Sequence, residues 1–325
     1  MRKKKRDTFA RSAMKLLCTL LGLILAVMLA LTFGFQNLLD QIGTAPEEPS
    51  SGGLLQMVSQ TVQNGTLTSL SLGESRNTVN ILLIGQDHRE GEREQARSDS
   101  MILCSFHKDT DELTMTSILR DLYVPIPGHH DNRINAAYSY GGMSLLKQTI
   151  EENFGISIQG CVEVDFSQFS QIVEVLGGVE LELRQDEADY INKETGSSLR
   201  SGLQRLSGPE ALTYSRIRSL DADSDFSRTN RQRKVLTAIF NGYRQANVSQ
   251  LLNLVREVLP MITTDLNRGQ LVLLAAELAP HLSGCEISSQ RIPADGTFTD
   301  QTIDGMAVLV ADMEKNRLLL QKATE

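Results

Sequence analysis

Arginine and aspartate residues recur along the middle of the chain, close to the ends of predicted strands and helices. A guanidinium group can bind phosphate through two parallel hydrogen bonds, and a pair of carboxylates suits a hard divalent cation. Together these residue types indicate a site for a pyrophosphate group and its metal ion. The residues are Arg97, Arg120, Arg216, Arg218, Arg228, Arg231, Asp87, Asp99, Asp121 and Asp225.

Two aspartates are candidate metal ligands. Asp87 follows the apolar run VNILLIG (79–85), and open α/β sheets place ligands beyond the ends of such strands. An ordinary turn explains the same residue, because Gly and Asp dominate turns. Asp99 stands close to Arg97 in the extended stretch ARSDS (96–100). One or two carboxylates completed by phosphate oxygens and waters form the usual Mg²⁺ site, with Mn²⁺ as the alternative ion.

Arg120 and Asp121 interrupt an apolar strand near its end in ILRDLYV (118–124). This placement fits a phosphate-binding arginine, and it also fits a structural ion pair that joins the sheet to a helix. Arg133 comes directly before the predicted helix INAAYSYGG (134–142). Because amide groups at a helix N-terminus favour an anion, Arg133 is a further candidate for phosphate binding.

The densest group of arginines lies in YSRIR (214–218) and, after a polar loop, in RTNRQRK (228–234). On a helix, Arg228, Arg231 and Gln232 share one face, and the same face continues into apolar residues. The stripe that a helix normally buries is therefore polar in its first turns. This pattern predicts a site at the rim of the core.

Three neighbours of this stripe have simpler explanations. Arg233 and Lys234 fit a basic, solvent-exposed face of the same helix. Asp225 either caps the helix, or it holds an arginine or relays a proton.

A layered α/β domain is predicted to position these residues. Apolar and β-branched runs predict strands that alternate with helices, which is typical of helices covering a sheet. We expect one extracytoplasmic domain with a central mixed sheet flanked by helices, an α/β/α sandwich. The predicted strands are 79–85, 101–106, 112–118, 161–166, 179–183 and 285–292, and the predicted helices are 134–155, 167–178, 208–218, 228–244, 249–260, 268–282 and 302–321.

The N-terminus predicts a membrane anchor. Residues 1–15 hold seven Lys or Arg and one Asp, and residues 16–35 carry no charged side chain. A helix of this length spans the hydrocarbon layer, and the positive-inside rule keeps the basic tail in the cytoplasm. A cleaved signal peptide is the alternative, with a weak cleavage site at 43–45. We expect a single-pass protein of the cell membrane, with an extracytoplasmic linker at 36–76 and the extracytoplasmic domain at 77–325.

The charge of the extracytoplasmic part argues against a nucleic-acid partner. Of the chain's 32 Lys and Arg and 40 Asp and Glu, the tail holds seven and one, which leaves a net charge of −14 on residues 16–325. A nucleic-acid-binding protein shows a broad basic face instead. Basic residues that converge inside an acidic shell indicate a specific small anion.

The cysteines indicate no metal site, because no CxxC or zinc-type spacing occurs. Cys104, Cys161 and Cys285 lie in apolar, strand-like surroundings. Buried thiols are favoured over a disulfide at these positions.

Seven sequence blocks between about residues 78 and 245 resemble the LytR–CpsA–Psr family of bacterial cell-wall assembly proteins, in the order that the family has. Any one block is a weak signal, but all seven after a single N-terminal anchor are specific. The blocks are NILLIGQDHR (80–89), RSDSMIL (97–103), SILRDLYV (117–124), RINAAYSYGG (133–142), VEVDFSQFSQIVEVLGGVE (162–180), LSGPEALTYSRIR (206–218) and DFSRTNRQRK (225–234).

The resemblance implies an activity and a set of partners. Members of the family carry a polyprenyl-pyrophosphate lipid in a hydrophobic groove of an α/β domain. They transfer its glycan phosphate, such as teichoic acid or capsular polysaccharide, onto peptidoglycan. The chain would therefore be a Mg²⁺-dependent phosphotransferase at the membrane, with residues 77–325 as its catalytic domain.

The resemblance also assigns roles to residues. Asp87 and Asp99 would hold Mg²⁺, and Asp225 would orient the arginines. Asp99 and Arg97 remain alternatives for the group that takes the proton of the acceptor hydroxyl. Arg97, Asp99, Arg120 and Asp225 would be catalytic; Arg97, Arg120, Arg133, Arg216, Arg218, Arg228, Arg231 and Gln232 would bind pyrophosphate; and Val173, Leu176, Leu212, Ile239 and Phe240 would line the lipid groove.

Two other functions use the same residues. Hydrolysis of the lipid pyrophosphate needs the same metal ion and arginines, with water in place of the sugar acceptor. A non-catalytic envelope regulator or lipid-binding scaffold needs them only for binding.

Overall fold

The computed structural model describes a folded α/β region together with short neighbouring segments. The predicted transmembrane segment, 16–35, and most of the predicted linker, 36–76, lie outside the described residues. No helix within the described part combines the length and the apolarity that a membrane span requires. The described residues are 43–44, 77–86, 98–221, 224–243, 257–267, 270, 274, 281 and 284–324, with side chains at all of them except 43, 44, 99, 224, 225 and 243.

Within these residues a mixed sheet of seven strands forms the centre of the fold, in the order β1-β10-β7-β2-β3-β4-β11. β2 pairs parallel with β7, and β4 pairs parallel with β11. β3 runs antiparallel to β2 and β4. The strands are β1 (Gly43–Thr44), β2 (Thr78–Gln86), β3 (Ser98–His107), β4 (Glu112–Ile118), β7 (Gly160–Asp165), β10 (Thr263–Thr264) and β11 (Glu286–Ile292).

This topology brings several strand ends to one side of the sheet. Because β3 runs opposite to its neighbours, its N-terminal end lies beside the C-terminal ends of β2, β4, β7 and β11. We call this side the carboxyl edge. The residues at its rim are Gln86, Ser98, Ile118, Asp165 and Ile292.

Helices cover both faces of the sheet. Leu82 and Met101 on one face pack against the helix α1 (Asn135–Phe154) and against Leu320 of α6 (Met313–Lys322). On the other face, Ile102 and Met115 form a second cluster with Leu236 of the helix α5 (Ser224–Tyr243). Strands that are buried on both sides read as nearly continuous apolar runs, as the sequence of the sheet does. The predicted mixed sheet flanked by helices is confirmed.

A third cluster lies beside the sheet and contains Val173, Tyr214 and Val235 of α5. It joins α5 to a hairpin and three shorter helices, and the sequence predicted only part of this region. Its elements are α2 (Phe166–Val175), β8 (Val179–Leu183), α3 (Gln185–Thr195), β9 (Gly202–Leu206) and α4 (Gly208–Arg216), with β8 and β9 antiparallel.

The predicted C-terminal helix at 302–321 is wrong in its first half. A hairpin of β12 (Phe298–Ile303) and β13 (Met306–Ala311) occupies that half, and only α6 is helical. Asp304 and Gly305 make the turn with φ of 50° and 77°. An Asp-Gly pair is a strong hairpin signal because both residues tolerate positive φ, so the sequence contained the information.

β5 (Tyr123–Val124) and β6 (Asn132–Arg133) form a short antiparallel pair between β4 and α1. The predicted helices at 249–260 and 268–282 lie largely outside the described residues, which retain a 3₁₀ turn at Leu259–Met261. Cys104, Cys161 and Cys285 are free thiols; Cys161 and Cys285 are buried, as predicted, and Cys104 is half-buried.

Candidate functional site

A β-bulge at the carboxyl edge contains residue 99, one of the two predicted metal ligands. Gly85 pairs with Ser100 and Gln86 pairs with Ser98, so residue 99 is an extra residue in β3. Such a bulge changes the direction of a side chain and is frequent near active sites. Asp87 follows Gln86 directly in the sequence. Asp87, Arg97 and the side chain of Asp99 lie outside the described residues.

A partly buried network of hydrogen bonds holds the end of β2 in place. Gln86 donates a hydrogen bond from Nε2 to the hydroxyl of Tyr138 in α1, and that hydroxyl donates to Oε2 of Glu163 in β7 at 2.7 Å. Burial, followed by the bond to Glu163, raises the pKa of Tyr138 above its ordinary value, so the phenol keeps its proton. The network positions the residue before Asp87. No sequence signal distinguished Tyr138, although it lies inside one of the seven blocks.

Arg120 and Arg133 share one carboxylate. Nε of Arg120 lies 3.4 Å from Oδ2 of Asp121, and Nη1 of Arg133 lies 3.3 Å from Oδ1. All three side chains are about a quarter exposed, at 24–26%. One carboxylate thus holds two guanidinium groups beside the end of β4, and the trio keeps a positive charge that can meet a bound anion.

Helix α5 brings further predicted residues to the same edge. Oε1 of Gln232 accepts a hydrogen bond from Oγ of Ser100 at 2.9 Å, which fixes the helix over the start of β3. Arg228 lies one helical turn earlier on the same face and is buried. The helix begins at Ser224, so Asp225 lies in its first turn rather than at a cap position, and the side chain of Asp225 is outside the described residues.

Arg216 and Arg218 lie at the end of α4 and are exposed. The guanidinium of Arg216 lies 4.6 Å from the ring centre of Phe166, the residue that follows β7. A cation over an aromatic face is held electrostatically, which fixes Arg216 close to the carboxyl edge.

Arg231 has a different environment. Its Nε donates to Oε1 of Glu187 at 2.9 Å, its Nη1 donates to the carbonyl of Ile217 at 3.3 Å, and its Nη2 donates to Asp221. Arg231 and Glu187 are 3% and 4% exposed at the side chain. Arg184 also contacts Asp221, at 3.0 Å, so two arginines meet two carboxylates. The donors of Arg231 are engaged by the protein itself, and its contribution to phosphate binding remains a prediction.

The expectation that Arg233 lies on a solvent-exposed face is wrong. Arg233 is 7% exposed and donates from Nη1 to Oγ of Ser117 in β4 at 2.6 Å. Burial, followed by the positive charge of Arg291, lowers the pKa of Arg233 to about 10. Arg233 shares a helix stripe with Leu236 and Phe240, which pack against the sheet. Extending that stripe backwards by one turn would have predicted its burial.

A cavity of about 840 Å³ lies between the β8–β9 hairpin and α5, and Ser289 of β11 forms part of its wall. It extends along α5 from Asn230 to Gly242, about 18 Å at the rise of an α-helix. The lining combines apolar and charged side chains, as expected for an amphipathic ligand. The apolar ones include Leu176, Val179, Leu181, Leu203 and Ile239, and the charged ones are Glu180, Glu182, Arg205, Arg233 and Lys234.

Two of the five residues proposed for a lipid groove line this cavity, namely Leu176 and Ile239. Val173 is buried in the neighbouring cluster, and Phe240 packs against the sheet. Leu212 also lies outside the wall that the described residues form.

Among the described side chains, no group of three or more His, Cys, Asp or Glu residues is arranged to hold a metal ion. The carboxylates of Asp87 and Asp99 are not part of that set.

The family model with the description LytR_cpsA_psr family matches residues 51–324. The chain belongs to this family. The match covers the described residues from 77 to 324, and the resemblance that the seven blocks indicated is therefore confirmed.

Two curated relatives within the family are similar to this chain. Polyisoprenyl-teichoic acid–peptidoglycan teichoic acid transferase TagU of Oceanobacillus iheyensis is 32% identical over 308 residues, which is 91% of this chain and 90% of TagU. The corresponding transferase TagT of Bacillus subtilis is 39% identical over 172 residues, 51% of this chain and 53% of TagT.

A solved family structure has the same fold. It is the LytR-CPS2A-psr family protein YwtF (TagT) with bound octaprenyl pyrophosphate lipid, with a TM-score of 0.59 and 26% sequence identity. The alignment covers 78% of this chain and 92% of that one.

Proposed function

We propose that this protein is a membrane-anchored phosphotransferase that moves a polyprenyl-pyrophosphate-linked anionic glycopolymer, teichoic acid or capsular polysaccharide, onto peptidoglycan. The observation that carries the proposal is the placement of α5. One side of this helix lines the amphipathic cavity, and its first turns reach the carboxyl edge with Arg228 and Gln232. A lipid tail in the cavity would thus lead to a pyrophosphate at the arginines.

The relatives support the same activity. TagU and TagT are transferases of teichoic acid to peptidoglycan by name, and a TagT structure holds a polyprenyl pyrophosphate. Similarity over nine tenths of the length of TagU supports the same reaction type here.

In the proposed reaction, a hydroxyl oxygen of a peptidoglycan sugar attacks the phosphorus that carries the glycan. A new P–O bond forms, the bond from that phosphorus to the bridging oxygen breaks, and polyprenyl phosphate leaves with the bonding electron pair. The hydroxyl proton passes to a base. Phosphoryl transfer depends mostly on positioning and on neutralising charge, which suits a site rich in arginine.

The arginines divide into two groups by their environments. Arg120, Arg133, Arg216, Arg218 and Arg228 lie at or near the carboxyl edge and would bind the phosphate oxygens. Arg97 precedes β3 in the sequence and would join them. Arg231, held by two carboxylates, would keep α5 in place beneath them.

Mg²⁺ fits the two aspartates by chemistry, because hard cations take carboxylate oxygens. Residue 99 is the extra residue at the start of β3, and Asp87 follows Gln86, the last residue of β2, in the sequence. Bound there, the ion would neutralise charge on the pyrophosphate. Asp87 and Asp99 would hold it, and Asp225 would orient the arginines.

The membrane anchor rests on the sequence. The basic tail and the uncharged segment 16–35 support a single-pass protein with a cytoplasmic N-terminus. This arrangement brings the domain close to a lipid-linked donor and to the cell wall.

A reconstituted reaction tests the function. The full chain in detergent is incubated with a polyprenyl-pyrophosphate glycan, Mg²⁺ and peptidoglycan oligomers. Polymer joined covalently to peptidoglycan is the expected product. Release of phosphate without joining would favour the hydrolase, and binding without turnover would favour the regulator or scaffold; either result overturns the proposal.

The ligand that copurifies gives an independent test. Mass spectrometry of a solvent extract of the purified chain should show a polyprenyl phosphate or pyrophosphate. An extract with ordinary membrane lipids alone would argue against a dedicated prenyl-lipid site.

A further inference from the structure

One stripe of α5 faces the sheet and contains a buried charge. Phe226, Arg233, Leu236 and Phe240 recur at helical spacing along this stripe. Leu236 and Phe240 pack on the sheet, and the ring of Phe226 lies 4.0 Å from the guanidinium of Arg291. Arg233 occupies a position between them where an apolar side chain would complete the packing.

No carboxylate among the described residues forms an ion pair with Arg233, although Glu180 and Glu182 line the same cavity. One nitrogen donates to Oγ of Ser117, while Nε has no hydrogen-bond partner in that part of the chain. The described charge that contributes to its lowered pKa is that of another cation, Arg291. Arg291 itself pairs with Asp295, an exposed residue that follows β11 in the chain.

Arg231, two positions earlier, shows what a structural arginine looks like in this helix. It is equally buried, yet its guanidinium meets Glu187, Asp221 and a carbonyl group. A buried cation without a counter-ion is unfavourable, and the pKa of Arg233, about 10, leaves it charged at neutral pH. The environment of Arg233 therefore fits an anion supplied by a ligand.

The position of Arg233 indicates which ligand atoms it would meet. Arg233 lines the cavity together with Leu176, Leu203 and Ile239. Its partner Ser117, in β4, pairs with Ile102 of β3. Ile102 lies two residues further from the carboxyl edge than Ser100, the residue that contacts Gln232. A phosphate at Arg233 would thus lie on the cavity side of a phosphate at Gln232.

We infer that Arg233, backed by Arg291, binds the phosphate that carries the prenyl chain, the one retained by the leaving polyprenyl phosphate. This inference rests on the proposed function and deepens it. The arginines of the carboxyl edge then act mainly on the phosphate that carries the glycan. The protein should accordingly bind a prenyl monophosphate as well as a prenyl pyrophosphate, and Arg233 should matter for both.

The test compares three probes on the full chain in detergent: geranylgeranyl monophosphate, geranylgeranyl pyrophosphate and geranylgeraniol. A charge-assisted hydrogen bond corresponds to about a 10–100-fold change in affinity. Arg233→Met should weaken the binding of both phosphates by this factor and leave the binding of geranylgeraniol unchanged. Arg120→Ala should weaken the binding of the pyrophosphate more than that of the monophosphate. Arg200→Met, at an exposed arginine, is the matched control and should change none of the three affinities.

Thermal unfolding of the ligand-free variants separates binding from folding. Arg233→Met removes an unbalanced buried charge, so its melting temperature should equal or exceed that of the wild type. Arg231→Met should melt lower. If the melting temperature of Arg233→Met falls as far as that of Arg231→Met, Arg233 has a structural role and the inference is overturned.

The conservative variant Arg233→Lys keeps the charge and loses the forked geometry, so its affinity for the monophosphate should lie between those of the wild type and Arg233→Met. Wild-type affinity for both phosphates in both variants overturns the inference.

The transfer reaction, measured on the same samples, keeps the two proposals apart. Transfer by the wild type together with Arg233-independent binding overturns this inference alone. Arg233-dependent binding without transfer overturns the proposed function alone.

Discussion

Arg231 and Arg233 lie two positions apart in α5, and both are buried. Arg231 contacts Glu187 and Asp221, whereas Arg233 contacts Ser117 and feels the charge of Arg291. Two identical side chains therefore have opposite energetic roles. One joins elements of the protein, and the other is available to an anion in the cavity.

The Arg231–Glu187 pair can be tested by stability. Arg231→Met should lower the free energy of unfolding by about 3–5 kcal/mol, because Glu187 stays buried after losing its closest ion-pair partner and keeps only the guanidinium of Arg184 at 3.9 Å. Chemical denaturation followed by circular dichroism measures the change. Adding Glu187→Leu removes the second charge and should recover much of the loss. A single variant as stable as the wild type would contradict the assignment.

The contact with Asp221 makes part of the stability pH-dependent. The hydrogen bond from Arg231 lowers the pKa of Asp221, so its contribution is complete above about pH 4, the ordinary carboxyl value. It is lost as the pH falls through the lower pKa of the folded state. Asp221→Asn should be less stable than the wild type at pH 7, and the difference between their free energies of unfolding should narrow below pH 4. A difference of constant size from pH 7 to pH 2 would refute this.

Arg120 is predicted to act on the reaction rather than on the fold. Its side chain is about a quarter exposed, and removal of one charge-stabilising donor typically lowers turnover by about 10²–10³-fold. Arg120→Ala should show this loss in the transfer reaction with a nearly unchanged melting temperature. Asp99→Ala should lose transfer as well. Arg200→Ala is the control, and equal rates in Arg120→Ala and this control would remove Arg120 from the site.

At the scale of elements, the site depends on how α4 meets α2. A Cβ added at Gly208, the first residue of α4, would lie 2.1 Å from the carbonyl oxygen of Ser170 in α2. A backbone oxygen cannot rotate away, so only glycine allows this approach. The contact fixes α4, and α4 ends at Arg216 beside Phe166.

Gly208→Ala should therefore destabilise the protein by about 1–3 kcal/mol, because the two helices have to separate. Gly242→Ala is the matched control, since its added Cβ meets no described atom within 4 Å and alanine favours a helix. Denaturant unfolding of both variants gives the comparison. Equal stabilities would show that the α2–α4 approach is not tight.

The strands and helices were predicted correctly where a long hydrophobic pattern defined them. The prediction was wrong where a turn signal competed with that pattern. The runs at 79–85 and 112–118 coincide with strands of the sheet, and the helix predicted to end at Gly155 ends there with a left-handed cap. The first half of the predicted helix at 302–321 is wrong, because an apolar run after Asp304-Gly305 fits a hairpin strand as well as a helix.

At the scale of the whole molecule, the sheet gathers distant parts of the chain at one edge. The end of β2, the start of β3, the end of β4 and the start of α5 meet there, although about 130 residues separate Ser100 from Gln232. The cavity extends away from this edge along the same helix. An amphipathic donor would bind with its charged end among the arginines and its tail along α5.

Removal of divalent cations tests the arrangement as a whole. Chelation should abolish transfer and leave the binding of geranylgeraniol unchanged, because the apolar wall of the cavity needs no metal ion. Added Mg²⁺ should restore transfer. Full transfer in the presence of excess chelator would exclude Asp87 and Asp99 as ligands of an essential ion.

The sequence by itself determined the family, the mixed α/β class and the residue types of the site. These properties are carried by short blocks and by local periodicity, which a single segment expresses without reference to the rest of the chain. The seven blocks sufficed to indicate the family, and the strands followed from their apolar runs.

Only the tertiary structure decided which arginine has which partner. Arg231 and Glu187 are 44 positions apart, and Ser117 and Arg233 are 116 apart. The balance of charge around a buried side chain depends on such distant contacts, because desolvation and pairing act through space. For this reason the helix pattern alone assigned Arg231 to the ligand and Arg233 to solvent. In the structure, α5 packs against α3 and the sheet. This packing engages Arg231 within the protein and buries Arg233 beside the cavity.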